Sequence, residues 1–189
     1  STASELTNLV RDKTSSELLE INHGKLVKAV GNKPSVNAFL ENSNFTPTDQ
    51  TIVAEALFKL RDVKNVDAFL TRIAAAKERS QAVFLRERAV MHAAFSEANS
   101  PIEEFIVAGG VPIAMSKGGT TVALFRIDAL AWTQRTADII DMVAQGIQAS
   151  WPDQPVELII SGQATELANR KISALGWKLL PDSEIPRPH

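Results

Sequence analysis

The chain of 189 residues contains no cysteine. This absence excludes disulfide bonds, metal sites built on thiolates and a cysteine nucleophile, because each of them needs the Cys side chain. The chain begins at Ser1-Thr2-Ala3, which fits either removal of a signal peptide or a trimmed chain. With the lack of cysteine, this start favours an exported bacterial protein. We therefore expect a periplasmic or secreted location, with a cytoplasmic one as the alternative.

An excess of charge of one sign is also missing. The 20 Lys and Arg residues nearly balance the 22 Asp and Glu residues, and the formal net charge is −2. Such a chain lacks the basic field that holds a nucleic acid backbone, so we expect no nucleic-acid partner. No apolar run approaches the roughly 18 residues needed to span a bilayer, so we expect no membrane-spanning segment.

Motifs that identify catalysis or cofactor binding are missing as well. The sequence has no G-x-G-x-x-G, Walker A or G-x-S-x-G pattern. Its three histidines, His23, His92 and His189, lie far apart in the sequence, whereas a zinc site needs three or four converging ligands. We therefore assign no catalytic residue, no metal site and no cofactor.

The clearest pattern that the chain does contain runs from Pro155 to Leu180. Val156 to Ile160 is a short run rich in β-branched residues, which is typical of a buried strand. The next apolar residues recur at helical spacing: Ala164, Ala168, Ile172 and Leu175. Gly176 suits the position after a helix end, and the chain then returns to a strand pattern that starts with Trp177. This strand–helix–strand unit predicts parallel pairing and a buried tryptophan.

The first 108 residues are predicted to be helical throughout. Thr46-Pro47-Thr48-Asp49 is a strong helix start, with a hydroxyl cap, a proline in the first turn and an acidic residue three positions after the cap. Residues 65–95 contain neither Pro nor Gly. They predict one long helix that bends or lies in water at the polar residues 77–81.

Charged residues of this half favour exposed helix faces. Arg79, Arg86 and Arg88 are interleaved with glutamates, which predicts a solvated face, and His92 is predicted to be a half-buried structural residue. Pro101 ends the long helical segment and is predicted to open a short helix through Ile106.

The pattern changes at Gly109-Gly110. Residues 111–117 and 120–127 predict two strands, and residues 133–149 predict an amphipathic helix. Together with the strand–helix–strand unit, the second half has the predicted order β-β-α-β-α-β.

Gly118-Gly119 is a typical two-residue turn of a β-hairpin. Setting Lys117 opposite Thr120 places Ile113 opposite Leu124 and gives the hairpin apolar side chains on both faces. The hairpin should therefore be covered on both sides.

We predict an α+β fold in which an N-terminal helical bundle-like half packs on this small sheet domain. The predicted subdomains are residues 1–108 and 109–181, followed by a tail at 182–189 that adds little to the core. Right-handed crossovers place both C-terminal helices on one face of the sheet, so only the N-terminal helices can cover the other face. The two halves should share apolar surface, and neither should be stable alone.

One end of the predicted parallel sheet is the candidate ligand site, because open parallel sheets bind ligands beyond the carboxyl ends of their strands. The residues at these ends are Asp128, Trp132 and Thr133 after one strand and Ser161, Gly162 and Gln163 after the next. A Ser-Gly turn before a helix can offer backbone N–H groups to an anion. The alternative is structural: a common strand-to-helix turn, a helix cap at Asp128 and a core residue at Trp132.

Two stretches resemble a known group of proteins. Ile159-Ile160-Ser161-Gly162, then Leu167-Ala168 and Leu175-Gly176-Trp177, are similar to the C-terminal ends of uncharacterised exported proteins of Gram-negative bacteria. Phe125–Thr133 resembles a segment upstream in the same proteins. The resemblance covers about residues 111–180. It implies export and an α/β terminal domain, and it supplies no activity and no catalytic residue.

Two functions follow as hypotheses. The first is a non-enzymatic interaction or envelope-associated binding module that contacts a protein partner through its helical half. The alternative is a hydrolase or small-ligand-binding enzyme with its site at the Asp128 and Ser161 strand ends. A concave site with a perturbed carboxylate would favour the enzyme, and an exposed apolar patch on the helices would favour the module.

Overall fold

The computed structural model describes residues 3–98 and 100–185. The first part of the described chain forms six helices: α1 (Ala3–Asp12), α2 (Ser15–Val30), α3 (Pro34–Leu40), α4 (Pro47–Lys59), α5 (Val66–Ala74) and α6 (Arg79–Ala98). Thr46 caps α4 as predicted, because its hydroxyl accepts from the Asp49 amide (3.2 Å) and the Asp49 carboxylate accepts from the Thr46 amide (2.8 Å). Within the described residues, no helix has both the length and the apolar character needed to cross a bilayer.

The second part of the chain forms a mixed sheet with two helices. Its elements are β1 (Ile102–Ala108), β2 (Val111–Ser116), β3 (Thr121–Phe125), β4 (Ala129–Leu130), α7 (Gln134–Ser150), β5 (Val156–Ile160), β6 (Gln163–Ala164), α8 (Glu166–Ala174) and β7 (Lys178–Leu180). The main sheet has the order β1-β2-β3-β5-β7, and β4 pairs with β6 in a second, two-stranded sheet. β1, β2 and β3 pair antiparallel, whereas β3, β5 and β7 pair parallel. This confirms the predicted α+β fold with a helical first half.

β1 shows that the predicted helix from Pro101 through Ile106 is wrong. Gly109 and Gly110 have φ values of 58° and 76°, and they form the two-residue turn that joins β1 to β2. This type of turn requires positive φ at both positions, which glycine adopts without a steric penalty. The predicted boundary between residues 108 and 109 therefore falls inside a hairpin.

β2 and β3 form the predicted hairpin, in a register one residue away from the predicted one. Ala114 pairs with Val122, so Ile113 does not lie opposite Leu124. The turn consists of three residues, 117–119, and not of two, because the amide of Ser116 bonds to the carbonyl of Thr120 (2.9 Å). Loops of three residues are the next most common way to close a hairpin.

The register decides which residues of β2 and β3 face the helices of the first half. Ala114, Val122 and Leu124 lie in the core that these helices share with the sheet. Ile113 and Ala123 lie in the core on the opposite face. The predicted pairing of Ile113 with Leu124 would put both on one face, whereas the observed register puts them on opposite faces, because a shift of one residue reverses the two faces of a strand.

The main sheet separates two hydrophobic cores. One core packs the five helices from α2 through α6 against one face of the sheet. Phe105 and Ile159 are among the strand residues in this core. The other core packs α7 and α8 on the opposite face. Both C-terminal helices thus lie on one face, and the N-terminal helices cover the other, as predicted. Trp177 is 8% exposed in the second core, which confirms its predicted burial.

The segment after β7 packs more closely than predicted. Ile185 is buried in the first core, which corrects the expectation that the tail at 182–189 adds little. The amides of Asp182 and Ser183 donate to the carbonyls of Gly162 and Ile160, each at 3.0 Å. Residues 186–189, including His189, lie outside the described residues.

Candidate functional site

The structure brings the two predicted loops together at the carboxyl ends of β3 and β5. A Cβ on Gly162 would lie 2.0 Å from the carbonyl oxygen of Asp128. Beyond this contact β4 and β6 pair in parallel, with Ala129 opposite Gln163. Only glycine permits such an approach, so Gly162 serves to pack one loop on the other.

The polar side chains at this edge are engaged within the protein. The Ser161 hydroxyl accepts from the Ile127 amide (3.0 Å) and donates to the Ile127 carbonyl (3.0 Å). Thr133 caps the N-terminus of α7, and the side-chain amide of Gln163 donates to the carboxylate of Asp182. An activated serine needs a neighbouring base, whereas Ser161 is bonded to a peptide group.

Asp128 and Trp132 complete the predicted set. The side chain of Asp128 is exposed. The backbone carbonyl of Asp128 accepts from the backbone amide of Gln163 (3.2 Å). Trp132 is half-buried and packs against the second core. The predicted residues thus lie on neighbouring loops of one sheet edge, and a ligand site there stays a prediction.

α6 carries a buried arginine that we predicted to lie in solvent. Arg88 is 2% exposed and makes no ion pair with any described residue. Its two terminal nitrogens donate to the carbonyls of Leu124 (2.8 Å) and Pro112 (2.9 Å), and its guanidinium lies 4.8 Å from the centre of the Phe125 ring. Burial lowers the pKa of Arg88 to about 9.

The position of Arg88 follows from a gap in the sheet. The paired part of β2 and β3 ends at Ala114, and the same register would set Pro112 opposite Leu124. Proline has no N–H to donate to the carbonyl of Leu124. The planar fork of Arg88 supplies donors to both strands at this place, so a helix side chain replaces the missing ladder bonds.

His92 lies one helical turn beyond Arg88 and is fully buried, not half-buried as predicted. Its Nδ1 lies 2.8 Å from the Arg88 carbonyl, which can only accept, so Nδ1 carries the proton. The rings of Phe69 and Phe105 meet it edge to face. Burial and then the charge of Arg88 lower the pKa of His92 to about 3, so the imidazole is neutral.

Asp49 joins α4 to α6 through two arginines of the predicted solvated face, of which Arg79 is exposed as predicted and Arg86 is half-buried. Its buried carboxylate accepts from Arg79 (2.5 Å) and Arg86 (2.6 Å), in addition to Thr46. Burial alone would raise the pKa of Asp49. The hydrogen bonds from Arg79, Thr46 and Arg86 outweigh burial and hold this pKa well below its usual range.

A groove of about 410 Å³ lies between α2 and α3 on the surface of the helical half. The residues that line it share one face of each helix, at the spacing i, i+3, i+4, i+7 on α2 and i, i+3, i+4 on α3: Ser16, Leu19, Glu20, His23, Asn37, Leu40 and Glu41. Two parallel rows of side chains of this kind form a channel that can accept a third helix.

Leu19 gives the groove its apolar surface. Its side chain is 47% exposed, and Leu40 lies half-buried in the other wall. The carboxylates of Glu20 and Glu41 line the same groove, which contains no Lys or Arg side chain. Leu18 and Leu19 are both apolar and are neighbours in the sequence. Adjacent helical residues point about 100° apart, so only Leu18 reaches the interior.

Comparisons of the chain with protein-family models, with curated proteins and with solved structures find no match. Over residues 3–98 and 100–185, no three His, Asp or Glu side chains converge in a way that could hold a metal ion.

Proposed function

We propose that the protein is a binding module whose α2–α3 groove takes a basic, amphipathic helical segment of a partner protein. The observation that carries this proposal is the exposed Leu19 between two rows of helix side chains that include Glu20 and Glu41. An amphipathic helix buries its apolar face in such a groove at matching i, i+3, i+4 positions. Lysine or arginine at the edges of that face would meet the two carboxylates.

The contacts at the other candidate site support binding over hydrolysis. The hydroxyl of Ser161 is bonded twice to the backbone of Ile127, and no carboxylate or imidazole of residues 3–98 and 100–185 bonds to it. His92 is fully buried between aromatic rings, so it cannot reach a substrate in solvent. The groove, by contrast, is open to solvent along both helices.

The proposed setting is the cell envelope or the exterior of the cell. A chain without cysteine supports it, because such a chain folds without regard to the redox state of its compartment. Fractionation of cells that express the natural gene would test this part separately. Recovery of the protein in the cytoplasmic fraction alone would contradict it.

The groove is tested with a defined probe: a helical peptide of leucine and lysine with one apolar face, titrated into the full chain. We expect saturable binding, with amide shifts in residues 16–23 and 37–41. A peptide of the same composition in scrambled order should bind more weakly, because its leucines do not share a face. Shifts centred on another surface, or equal binding of both peptides, would contradict the proposal.

A matched pair of variants tests whether the peptide binds in the groove. Leu19→Asp puts a charge on the apolar wall of the groove and should weaken peptide binding about tenfold or more, which is the effect of losing one buried apolar anchor. Leu167→Asp is the control, because Leu167 is similarly exposed (41%) but lies on α8. Equal affinities of the two variants would show that the groove is not the binding site.

A further inference from the structure

The α2–α3 groove contains a histidine next to its apolar wall. His23 lines the groove four positions after Leu19 and three positions after Glu20 on α2. Side chains three and four positions apart are neighbours on the surface of a helix. A partner helix that covers the exposed Leu19 therefore also lies against the imidazole of His23.

The imidazole of His23 is open to protons from solvent. Its side chain is exposed, and it makes no hydrogen bond, ion pair or ring contact with another residue in the described part of the chain. Imidazole is the side chain that ordinarily changes its charge between about pH 5 and pH 8. His92 differs, because burial lowers its pKa to about 3 and it stays neutral throughout this range.

Two carboxylates give the groove its negative charge. Glu20 and Glu41 are both exposed, and neither forms an ion pair within residues 3–98 and 100–185. No Lys or Arg side chain lines the groove. One imidazolium beside these two carboxylates halves the net negative charge of the lining, so protonation of His23 weakens the attraction of the groove for a basic helix.

The other charged groups around α2 do not compete with this effect. α2 packs against α3, α4 and α5. The charged side chains of these elements other than Glu41 are engaged elsewhere: Lys33 with Asp67, Asp49 with Arg79 and Arg86, Glu55 with Lys25, Lys59 with Glu97, and Arg72 with the Gly110 carbonyl. On α2 itself, Glu17 pairs with Lys13 (3.5 Å), and Lys28 lies five positions after His23, about 140° around the helix.

We propose that protonation of His23 makes the groove release its basic helical partner in mild acid, an inference that rests on the proposed function of this groove. At neutral pH a lysine or arginine at the edge of the docked helix meets two carboxylates and a neutral ring. In acid the same cation also meets the positive charge of His23, and like charges across an interface disfavour binding. The groove therefore holds its partner at neutral pH and loses affinity as the pH falls.

The test repeats the titration of the full chain with the leucine–lysine peptide at pH 7.5 and pH 5.5, where lysine keeps its charge. The peptide ends are blocked and the ionic strength is low. The affinity should fall about threefold to fivefold in acid, the effect of one exposed charge contact. This difference should disappear in about 1 M salt, where charges are screened beyond about 3 Å.

A second peptide with glutamine in place of each lysine separates repulsion from loss of folded protein. Partial unfolding in acid would weaken the binding of both peptides alike. Repulsion by His23 acts only on the charged peptide, so the affinity for the glutamine peptide should be the same at both pH values.

Three variants assign the effect to one side chain. His23→Gln removes the titrating group, so the affinities for the lysine peptide at the two pH values should become equal. His23→Lys carries a permanent positive charge and should bind this peptide about threefold to fivefold more weakly than His23→Gln at both pH values. His189→Gln, at the end of the chain, is the control and should keep the pH dependence of the wild type.

The outcomes separate this inference from the proposed function. Equal affinity of the wild type for the lysine peptide at both pH values would overturn the inference and leave the groove as a binding site. An equal loss with the glutamine peptide, or a loss that persists in His23→Gln, would also overturn it. A lysine peptide that binds at neither pH would overturn both.

Discussion

Single side chains on α6 carry much of the structural specificity of this protein. Arg88 spans the gap between two strands, His92 bonds to the backbone of α6 between aromatic rings, and Arg86 reaches Asp49 on α4. Buried polar groups are costly unless their hydrogen bonds are made, so the bonds of Arg88 and Arg86 to other elements fix the position of α6, and His92 adds ring contacts to Phe69 of α5 and Phe105 of β1.

Arg88→Lys should destabilise the protein by about 1–3 kcal/mol. Lysine keeps the charge but lacks the planar fork, so one ammonium cannot donate to the carbonyls of both Leu124 and Pro112 with good geometry. Urea unfolding of the wild type and the variant measures the difference. A midpoint that does not move would show that the bridge between the strands contributes nothing.

Pro112→Val tests the reason for this bridge. Valine restores an N–H opposite the carbonyl of Leu124, so the cost of Arg88→Lys should become smaller in the Pro112→Val background. A double-mutant cycle measures this coupling. An unchanged cost would mean that the gap left by the proline is not what Arg88 fills.

His92 should make the stability fall in mild acid. Its pKa is about 3 in the folded protein and 6.5 when unperturbed, so the unfolded chain takes up a proton between these values and the folded protein does not. Stability is therefore lost as the pH falls from 6.5 towards 3, by up to about 1.4 kcal/mol per pH unit. His92→Gln removes this titration. The difference in unfolding free energy between the two proteins should change between pH 7 and pH 4.5. A constant difference would contradict the assigned pKa.

The sequence correctly predicted the helices and strands that are marked by local signals, such as a cap or a regular spacing of apolar residues. Thr46 and Asp49 mark the start of α4 by a capping box, and Val156–Ile160 with the helix after it follow from periodicity. β1 was missed because Pro101 and the acidic pair Glu103-Glu104 resemble the first turn of a helix. Its strand conformation depends on pairing with β2, which is a contact that periodicity does not report.

The candidate sites also differ in how far the sequence could predict them. The meeting of the Asp128 and Ser161 loops follows from topology, because parallel strands end at one edge. The α2–α3 groove depends on which side chains remain exposed after packing. Leu19 beside the buried Leu18 shows that sequence hydrophobicity alone does not decide this.

Two glycines give a matched prediction at this scale. Gly162→Ala should destabilise the protein by about 1–3 kcal/mol, because the new Cβ would force β4 and β6 apart. Gly24→Ala, in α2, meets no atom within 4 Å and should stabilise it by about 0.5–1 kcal/mol. Thermal unfolding of both variants measures the effects. Equal shifts in Tm would contradict the close approach of the two loops.

The whole molecule is organised around one sheet, with the N-terminal helices on one face and α7 and α8 on the other. The first core contains residues of five helices and of the sheet, so removal of either half would expose a large apolar surface. The sequence predicted this sharing from the number of apolar faces, although it placed the division inside what is a hairpin.

Residues 1–108 and 111–189, expressed separately, should each fail to fold. The first fragment would lose the sheet that covers its helices, and the second would expose one whole face of its sheet. Circular dichroism melts and amide spectra of the fragments provide the measurement. A cooperative melt and dispersed amides for 111–189 alone would contradict the shared core.

The Gly109-Gly110 turn has a consequence for assembly. It joins two strands that lie in the same sheet, so a break in this turn severs one covalent link and leaves the pairing of β1 with β2 available. The two fragments, once mixed, should recombine by strand complementation into the native fold. Folding would then be a bimolecular reaction, and the midpoint of unfolding would rise with the concentration of the fragments. The protein could in this way report the encounter of any two chains fused to its halves.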